Sequence, residues 1–194
     1  NLKPFYNRFP NLENFKHQLT EKQKNFTDEK RHLLSKRIMF QYGDNSISQS
    51  TLSNIDLLRE HNTFTITTGH QLNLFTGPLY FLYKIFSAIN LAEELNKTYP
   101  KNHFVPVYWM ATEDHDFEEI NYFNLFGKKV KWERNASGAV GELSTEGLKE
   151  VKQQLKKEFG ESENAKKLIS YFSDAYTKHV NLADATRFLA NCLF

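Results

Sequence analysis

Apolar residues recur at helical spacing along the first third of the chain. Leu12, Phe15 and Leu19 lie one turn apart, and similar spacing returns within residues 33–38 and 52–58. Positions three and four residues apart share one face of a helix, so this spacing indicates amphipathic helices. Residues 1–62 are therefore predicted to form an N-terminal helical segment.

The pattern changes to a strand, a helix and a second strand between residues 63 and 118. The run TFTITT (63–68) is short and rich in β-branched residues, which is typical of a strand. After the turn GHQLNLFTG, Pro78 is expected to open a helix to about residue 99 that is apolar almost all round and therefore deeply buried. The near-continuous apolar run HFVPVYWMA (103–111) predicts a buried second strand. Together they predict a βαβ unit with parallel strands, and hence an α/β fold.

The remaining sequence is predicted to form a mixed, mainly helical insert (119–180) and a core helix (181–194). Gly127 separates two short strand candidates in the insert, and the last helix keeps its apolar spacing up to Phe194. Two parallel strands do not support an open α/β sheet. We therefore expect the natural protein to supply further strands after Phe194.

Composition excludes some classes of protein. The chain carries 25 basic and 23 acidic residues without a basic block, which argues against nucleic acid as a partner. No apolar run reaches the roughly 18 residues of a membrane span, so no membrane partner is expected. The single cysteine, Cys192, fits a reducing compartment, and a cytoplasmic location is expected.

Two polar clusters follow the predicted strands. The first contains Thr67, Thr68, Gly69, His70, Gln71, Asn73, Thr76 and Gly77, and the second contains Thr112, Glu113, Asp114, His115 and Asp116. Ligands of open α/β sheets bind at the carboxyl ends of the strands. Since the two strands should be parallel, both clusters are expected to face one crevice.

The first cluster has the chemistry of an anion or proton-transfer site. Gly69 is expected to turn the chain sharply off the strand, and Gly77 with Pro78 to open a helix whose N-terminus attracts anions. His70 can donate to a phosphate or carboxylate, or move a proton. The alternative is that His70 and Gln71 only satisfy backbone groups of a long loop.

The second cluster also has two interpretations. Its acids can be solvated loop residues that cap a short helix. A buried strand placed directly before them would instead deliver them to a cleft. Trp109 is interpreted as a core residue or as part of the pocket wall, and Lys84 as a lysine that extends to the surface or as a cation for substrate.

Three segments resemble the bacillithiol biosynthesis cysteine-adding enzyme family, BshC. They are TTGHQLNLFTGPLYFLYKIFSAINLAEEL, FVPVYWMATEDHDFEEIN and NLADATRFLANCLF. The resemblance implies a partial Rossmann-like, nucleotidyltransferase-like core that matches the amino-terminal part of such a protein. It also implies a homodimer formed through a coiled coil that this chain lacks.

The same resemblance implies a cysteine ligase that joins cysteine to glucosaminyl-malate by an amide bond. Thr67, Thr68, Gly69 and His70 match the first nucleotidyltransferase motif, whose last histidine contacts nucleotide phosphates. ATP is therefore an implied cosubstrate. His70, Asp114, His115 and Asp116 become the catalytic candidates, and the substrate-binding candidates are Thr67, Gly69, Gln71, Asn73, Thr76, Gly77, Trp109 and Glu113.

Two other functions fit the same residues. A metal-dependent hydrolase would bind a divalent ion through His70, Asp114, His115 and Asp116, although their spacing matches no closed ligand set, and no metal is predicted. A non-catalytic helical binding module would use the polar loops only for structure.

Overall fold

The computed structural model describes residues 2–43 and 47–194. Three helices come first, and a strand, a long helix and a second strand follow them. These are α1 (Leu12–Gln23), α2 (Asp28–Tyr42), α3 (Gln49–Leu57), β1 (Thr63–His70), α4 (Leu79–Thr98) and β2 (His103–Met110). The rest consists of α5 (Phe117–Ile120), β3 (Tyr122–Leu125), β4 (Lys128–Lys131), α6 (Leu148–Phe159), α7 (Glu163–Lys178) and α8 (Leu182–Leu193).

The predicted α/β fold is confirmed, and β1 pairs with β2 in parallel. The amide of His103 donates to the carbonyl of Asn62 at 3.0 Å, and the amide of Ala111 donates to the carbonyl of His70 at 3.1 Å. Both bonds join the strands in the same sense, so both strands end at the same edge of the sheet. None of the described helices is long and apolar enough to cross a membrane.

Two compact units make up the chain. One contains Asn1–Thr67 with Ser87–Val107, and the other contains Thr68–Phe86 with Tyr108–Phe194. The boundaries predicted from the sequence, after residues 62, 118 and 180, divide the chain into consecutive segments. The two compact units do not follow chain order, so these boundaries stay a prediction.

A buried arginine joins α2 and the end of α3 to the start of β1 in the first unit. Arg31 on α2 is 3% exposed. Its guanidinium donates to the carbonyls of Thr63 at 2.9 Å, His61 at 3.1 Å and Leu58 at 3.4 Å. A nearby apolar cluster contains Leu19, Ala92, Leu95 and Phe104. Arg31 thus joins α2, the end of α3 and the start of β1 through backbone groups that would otherwise be unpaired.

The core of the second unit lies among α6, α7, α8 and the β3–β4 hairpin. Its fully buried side chains include Leu72, Trp132, Val140, Leu148 and Leu182. The hairpin pairs antiparallel with Tyr122 opposite Lys131, and Gly127 lies at its turn with φ of 77°. The positive φ explains the glycine at this position.

The prediction that α4 is deeply buried was wrong. Phe81 and Ile85 are buried, but Leu79 is 61% and Tyr83 is 63% exposed. The buried positions of the helix recur every three or four residues and form one stripe. The apolar residues between these positions lie on the other faces of the helix and are at least partly exposed. The apolar composition of the helix alone did not reveal this difference.

Replacing Arg31 with Met should destabilise the protein by about 3 kcal/mol. The variant keeps much of the buried stem but leaves carbonyls without their donor, and an unpaired buried acceptor costs roughly 1–3 kcal/mol. Urea unfolding of Arg31→Met and of Arg37→Met, an exposed arginine on the same helix, measures the difference. Equal losses in the two variants would show that these hydrogen bonds do not stabilise the fold.

Candidate active site

The loop that joins β1 to α4 has an unusual backbone. A 3₁₀ turn spans Leu74–Thr76, and φ is 51° at Phe75, 70° at Thr76 and 51° at Gly77. A positive φ at a β-branched residue such as Thr76 is a true outlier, since such conformations cost about 1–3 kcal/mol each. The surrounding structure must therefore hold this loop in place.

Helix α7 and the β-hairpin supply that support through Phe75. Its ring centroid lies 4.8 Å from that of Tyr176, 4.9 Å from that of Phe172 and 5.2 Å from that of Phe123. The amide of Phe75 donates to the hydroxyl oxygen of Tyr176 at 3.0 Å. Aromatic packing and a buried hydrogen bond thus fix the left-handed turn.

Gly77 is required at its position for two reasons. Its positive φ is one, and the close approach of Asn73 is the other, because a Cβ on Gly77 would lie 2.3 Å from the Cβ of Asn73. Asn73 is 8% exposed, and its Oδ1 has no hydrogen-bond partner among the described residues. The loop therefore presents a buried amide oxygen beside the strand end.

Gly69 does not turn the chain off the strand, contrary to expectation. It lies inside β1, and a Cβ there would meet the Trp109 side chain at 3.6 Å, an ordinary contact. The turn follows later, at residues 74–77. Trp109 itself is 60% exposed, so it is not a core residue.

His70 lies at the carboxyl end of β1 against two rings of α4. Its ring centroid is 5.0 Å from that of Tyr80 and 5.5 Å from that of Phe81. Nδ1 lies 3.2 Å from the carbonyl oxygen of Gln71. Because a carbonyl can only accept, Nδ1 carries the proton and Nε2 keeps its lone pair in the neutral ring. Nε2 is buried and has no partner among the described residues.

Burial lowers the pKa of His70 below its usual range, and the positive charge of Lys84 adds to this effect. The Gln71 carbonyl and the Asn73 side chain act in the opposite direction. The net result is an imidazole that is neutral at neutral pH. A neutral imidazole keeps a lone pair on Nε2, which can accept a proton from a group brought within hydrogen-bond distance.

Gln71 joins the two polar clusters. Its Nε2 donates to a carboxylate oxygen of Glu119 at 2.8 Å, and its side chain is the largest cause of a lowered pKa at Asp114. The clusters thus meet at one edge of the sheet, as their positions after parallel strands predicted. Sequence reasoning missed Glu119, although it lies only three residues after Asp116.

The turn that carries the second cluster is clamped by a 3₁₀ turn at Val140–Glu142. The amide of Val140 donates to the Asp114 carbonyl at 2.7 Å, and that of Gly141 donates to the Thr112 carbonyl at 2.9 Å. A Cβ on Gly141 would lie 2.7 Å from the Cβ of Thr112, so only glycine allows this approach. The carboxylate of Asp114 also accepts the amide of Asp116 at 3.1 Å.

The second cluster is more exposed than the sequence predicted. Glu113, His115 and Asp116 are exposed and Asp114 is half-buried. The strand before them is buried only in part, which corrects the expectation that it is buried throughout. An open depression of about 540 Å³, lined by residues 115–119 and 134–136, lies beside the cluster.

Two predicted ligand residues have different surroundings. Thr67 is exposed, and its hydroxyl donates to that of Thr65 at 3.3 Å. Thr76 is half-buried within the strained turn. These surroundings do not link either threonine to the second cluster. Their role in substrate binding therefore stays a prediction.

The described residues provide no support for the metal-dependent hydrolase. Within residues 2–43 and 47–194, no group of three or more histidine, cysteine, aspartate or glutamate side chains is placed to hold a metal ion. Asp114 is instead engaged by Gln71 and a backbone amide.

Comparison with known proteins defines the class. The family model described as "Bacillithiol biosynthesis BshC, N-terminal Rossmann-like domain" matches residues 1–194. The fold is thus that of a Rossmann-like domain. The chain belongs to the bacillithiol biosynthesis BshC family.

Curated relatives carry the name "Putative cysteine ligase BshC". The one from Flavobacterium johnsoniae is 61% identical over 193 residues, and the one from Flavobacterium psychrophilum is 59% identical over 194 residues. Each match covers 100% of this chain and 36% of the relative. A Bacillus cereus relative is 33% identical over 186 residues, which cover 92% of this chain and 34% of the relative. The chain therefore spans about a third of the length of these curated relatives.

Replacing Gly77 with Ala should destabilise the protein by about 2 kcal/mol or more, because the new side chain meets both the positive φ and Asn73. Gly69→Ala is the matched control, since its Cβ finds ordinary contacts, and it should change stability by no more than about 0.5 kcal/mol. Urea unfolding of the two variants measures both values. A larger loss at Gly69 than at Gly77 would contradict this account of the loop.

Replacing Tyr176 with Phe should leave the amide of Phe75 buried and unpaired, at a cost of roughly 1–3 kcal/mol. It should also shift the NMR resonances of the His70 ring, because the loop after His70 loses its anchor. Tyr171→Phe on the same helix is the control and should leave those resonances unchanged. Unchanged His70 resonances in Tyr176→Phe would show that the loop does not depend on the hydroxyl group.

Proposed function

We propose that the protein is an amide-forming ligase that joins cysteine to glucosaminyl-malate in bacillithiol biosynthesis. The observation that carries the proposal is family membership over the whole chain, together with relatives named as cysteine ligases. The geometry at the ends of β1 and β2 supports it, because the residue types needed for amide formation meet there.

Amide formation requires a deprotonated amine and an activated carboxyl group. His70 is the proposed proton acceptor or acyl-group partner, since its Nε2 is unpartnered and its ring is neutral. Asp114 is charged at neutral pH and suits an ammonium group, while His115 and Asp116 are exposed groups able to carry protons away. Gln71 and Asn73 are the proposed orienting residues.

ATP is the proposed activator. The cysteine carboxylate would attack the α-phosphorus and release pyrophosphate, giving an acyl adenylate. The amine of glucosaminyl-malate would then attack the carbonyl carbon and release AMP, with its proton passing to a base. The match of Thr67, Thr68, Gly69 and His70 to the first nucleotidyltransferase motif supports this choice of activator. A cytoplasmic location and a coiled-coil homodimer belong to the same proposal and rest on the family resemblance.

Mass spectrometry of the purified gene product incubated with cysteine and glucosaminyl-malate, with and without ATP, tests the reaction. We expect a condensed thiol that forms only with ATP. Product that forms without ATP would show that another compound activates the carboxylate, while the ligase function would still hold. Absence of product in both conditions, with substrates intact, would refute the ligase function.

Replacing His70 with Ala should lower the rate of product formation about a hundredfold or more, as expected for the loss of a general base or a polar group at the reacting centre. His61→Ala replaces an exposed histidine two residues before β1 and is the control. A His70→Ala enzyme with the rate of the control would remove His70 from the mechanism.

A further inference from the structure

Lys84 is a half-buried cation beside the candidate site that the catalytic scheme does not require. It lies on α4, one turn after Tyr80, and its ammonium group donates to the carbonyl of Gly69, the residue before His70. The Nζ also lies 5.2 Å from the centroid of the Tyr80 ring. These contacts hold the ammonium group at the carboxyl end of β1.

The charge of Lys84 has no partner of opposite sign in the part of the chain that the structure describes. None of the salt bridges there includes it. An ammonium group carries three donors, and only one is used by Gly69. An ammonium group with unused donors and no counter-ion at the end of a strand can take a carboxylate or phosphate oxygen from a ligand.

Acidic side chains lie at Gln71, two residues along the chain from Gly69. Gln71 follows His70 and donates to Glu119, and its side chain also stabilises the charged form of Asp114. Since His70 is neutral, Lys84 supplies the fixed positive charge beside Gly69, and Asp114 and Glu119 supply the negative charge beside Gln71. A ligand with one carboxylate and one ammonium group complements this arrangement.

We propose that Lys84 binds the carboxylate of a zwitterionic amino acid whose ammonium group faces Asp114 and Glu119. The inference rests on the proposed function for the identity of that amino acid as cysteine. It adds a residue and an orientation, because the carboxyl carbon would lie on the His70 and Lys84 side, where activation is proposed. A phosphate group has similar chemistry toward Lys84, and the test separates the two.

Calorimetric binding of three thiols, and separately of inorganic phosphate, to the purified gene product under reducing conditions tests the orientation. Cysteine carries both charged groups, cysteamine lacks the carboxylate, and 3-mercaptopropionate lacks the amine. Lys84→Met should weaken cysteine binding about tenfold, equivalent to one charge-assisted bond of about 1.4 kcal/mol, and leave cysteamine binding unchanged. Asp114→Asn should weaken cysteine and cysteamine but not 3-mercaptopropionate.

Two further variants guard against a general loss of structure. Lys84→Arg keeps the charge and should retain the preference for cysteine over cysteamine. Lys97→Met removes an exposed lysine from the end of the same helix and should bind all three thiols as the unmodified protein does.

Several results would overturn the inference. They are equal weakening of cysteine and cysteamine by Lys84→Met, weakening of inorganic phosphate binding alone, or no cysteine binding by the unmodified protein. The expected binding pattern without any amide product would instead refute only the ligase function and leave the orientation intact.

Discussion

The hydrogen bond from the Phe75 amide to Tyr176, with the three rings around Phe75, is the constraint on which the candidate site depends. A left-handed Phe75 followed by a left-handed Thr76 is unfavourable in isolation. Burial of a large aromatic side chain and pairing of its amide offset this cost. The positions of the polar residues before and after the turn depend on that anchor. The helical insert thus determines the geometry of a strand-end loop.

Periodicity was sufficient to predict β1, α4, β2 and their parallel arrangement, because strand and helix patterns are local properties of the sequence. It also placed His70 and Asp114 at neighbouring strand ends. The role predicted for Gly69 was wrong. A glycine in the sequence indicates that the backbone can turn there, but it does not show which glycine of a loop makes the turn. Tyr176 could not be predicted as the anchor, since it lies 101 residues from Phe75 along the chain. The apolar face of a helix in the sequence does not show which residue that face will contact.

Polar groups at the strand ends are joined more closely than their positions in the sequence indicate. Gln71 uses its side chain to reach Glu119 and Asp114, while its backbone carbonyl faces His70. One residue therefore fixes the protonated nitrogen of the imidazole and stabilises the charge of Asp114. A substitution at Gln71 would act on both clusters together, and its effects would not add to those of substitutions at His70 or Asp114.

The insert also holds the second cluster, through the amides of Val140 and Gly141. The amide of Leu182, at the start of α8, in turn donates to the carbonyl of Leu143 at 2.8 Å, directly after that 3₁₀ turn. Local opening of the α7–α8 region would therefore release both polar clusters in one event. Amide hydrogen exchange at Phe75 and at the 140–141 clamp should then share one opening free energy, which makes the strand-end site a cooperative unit with the helical insert.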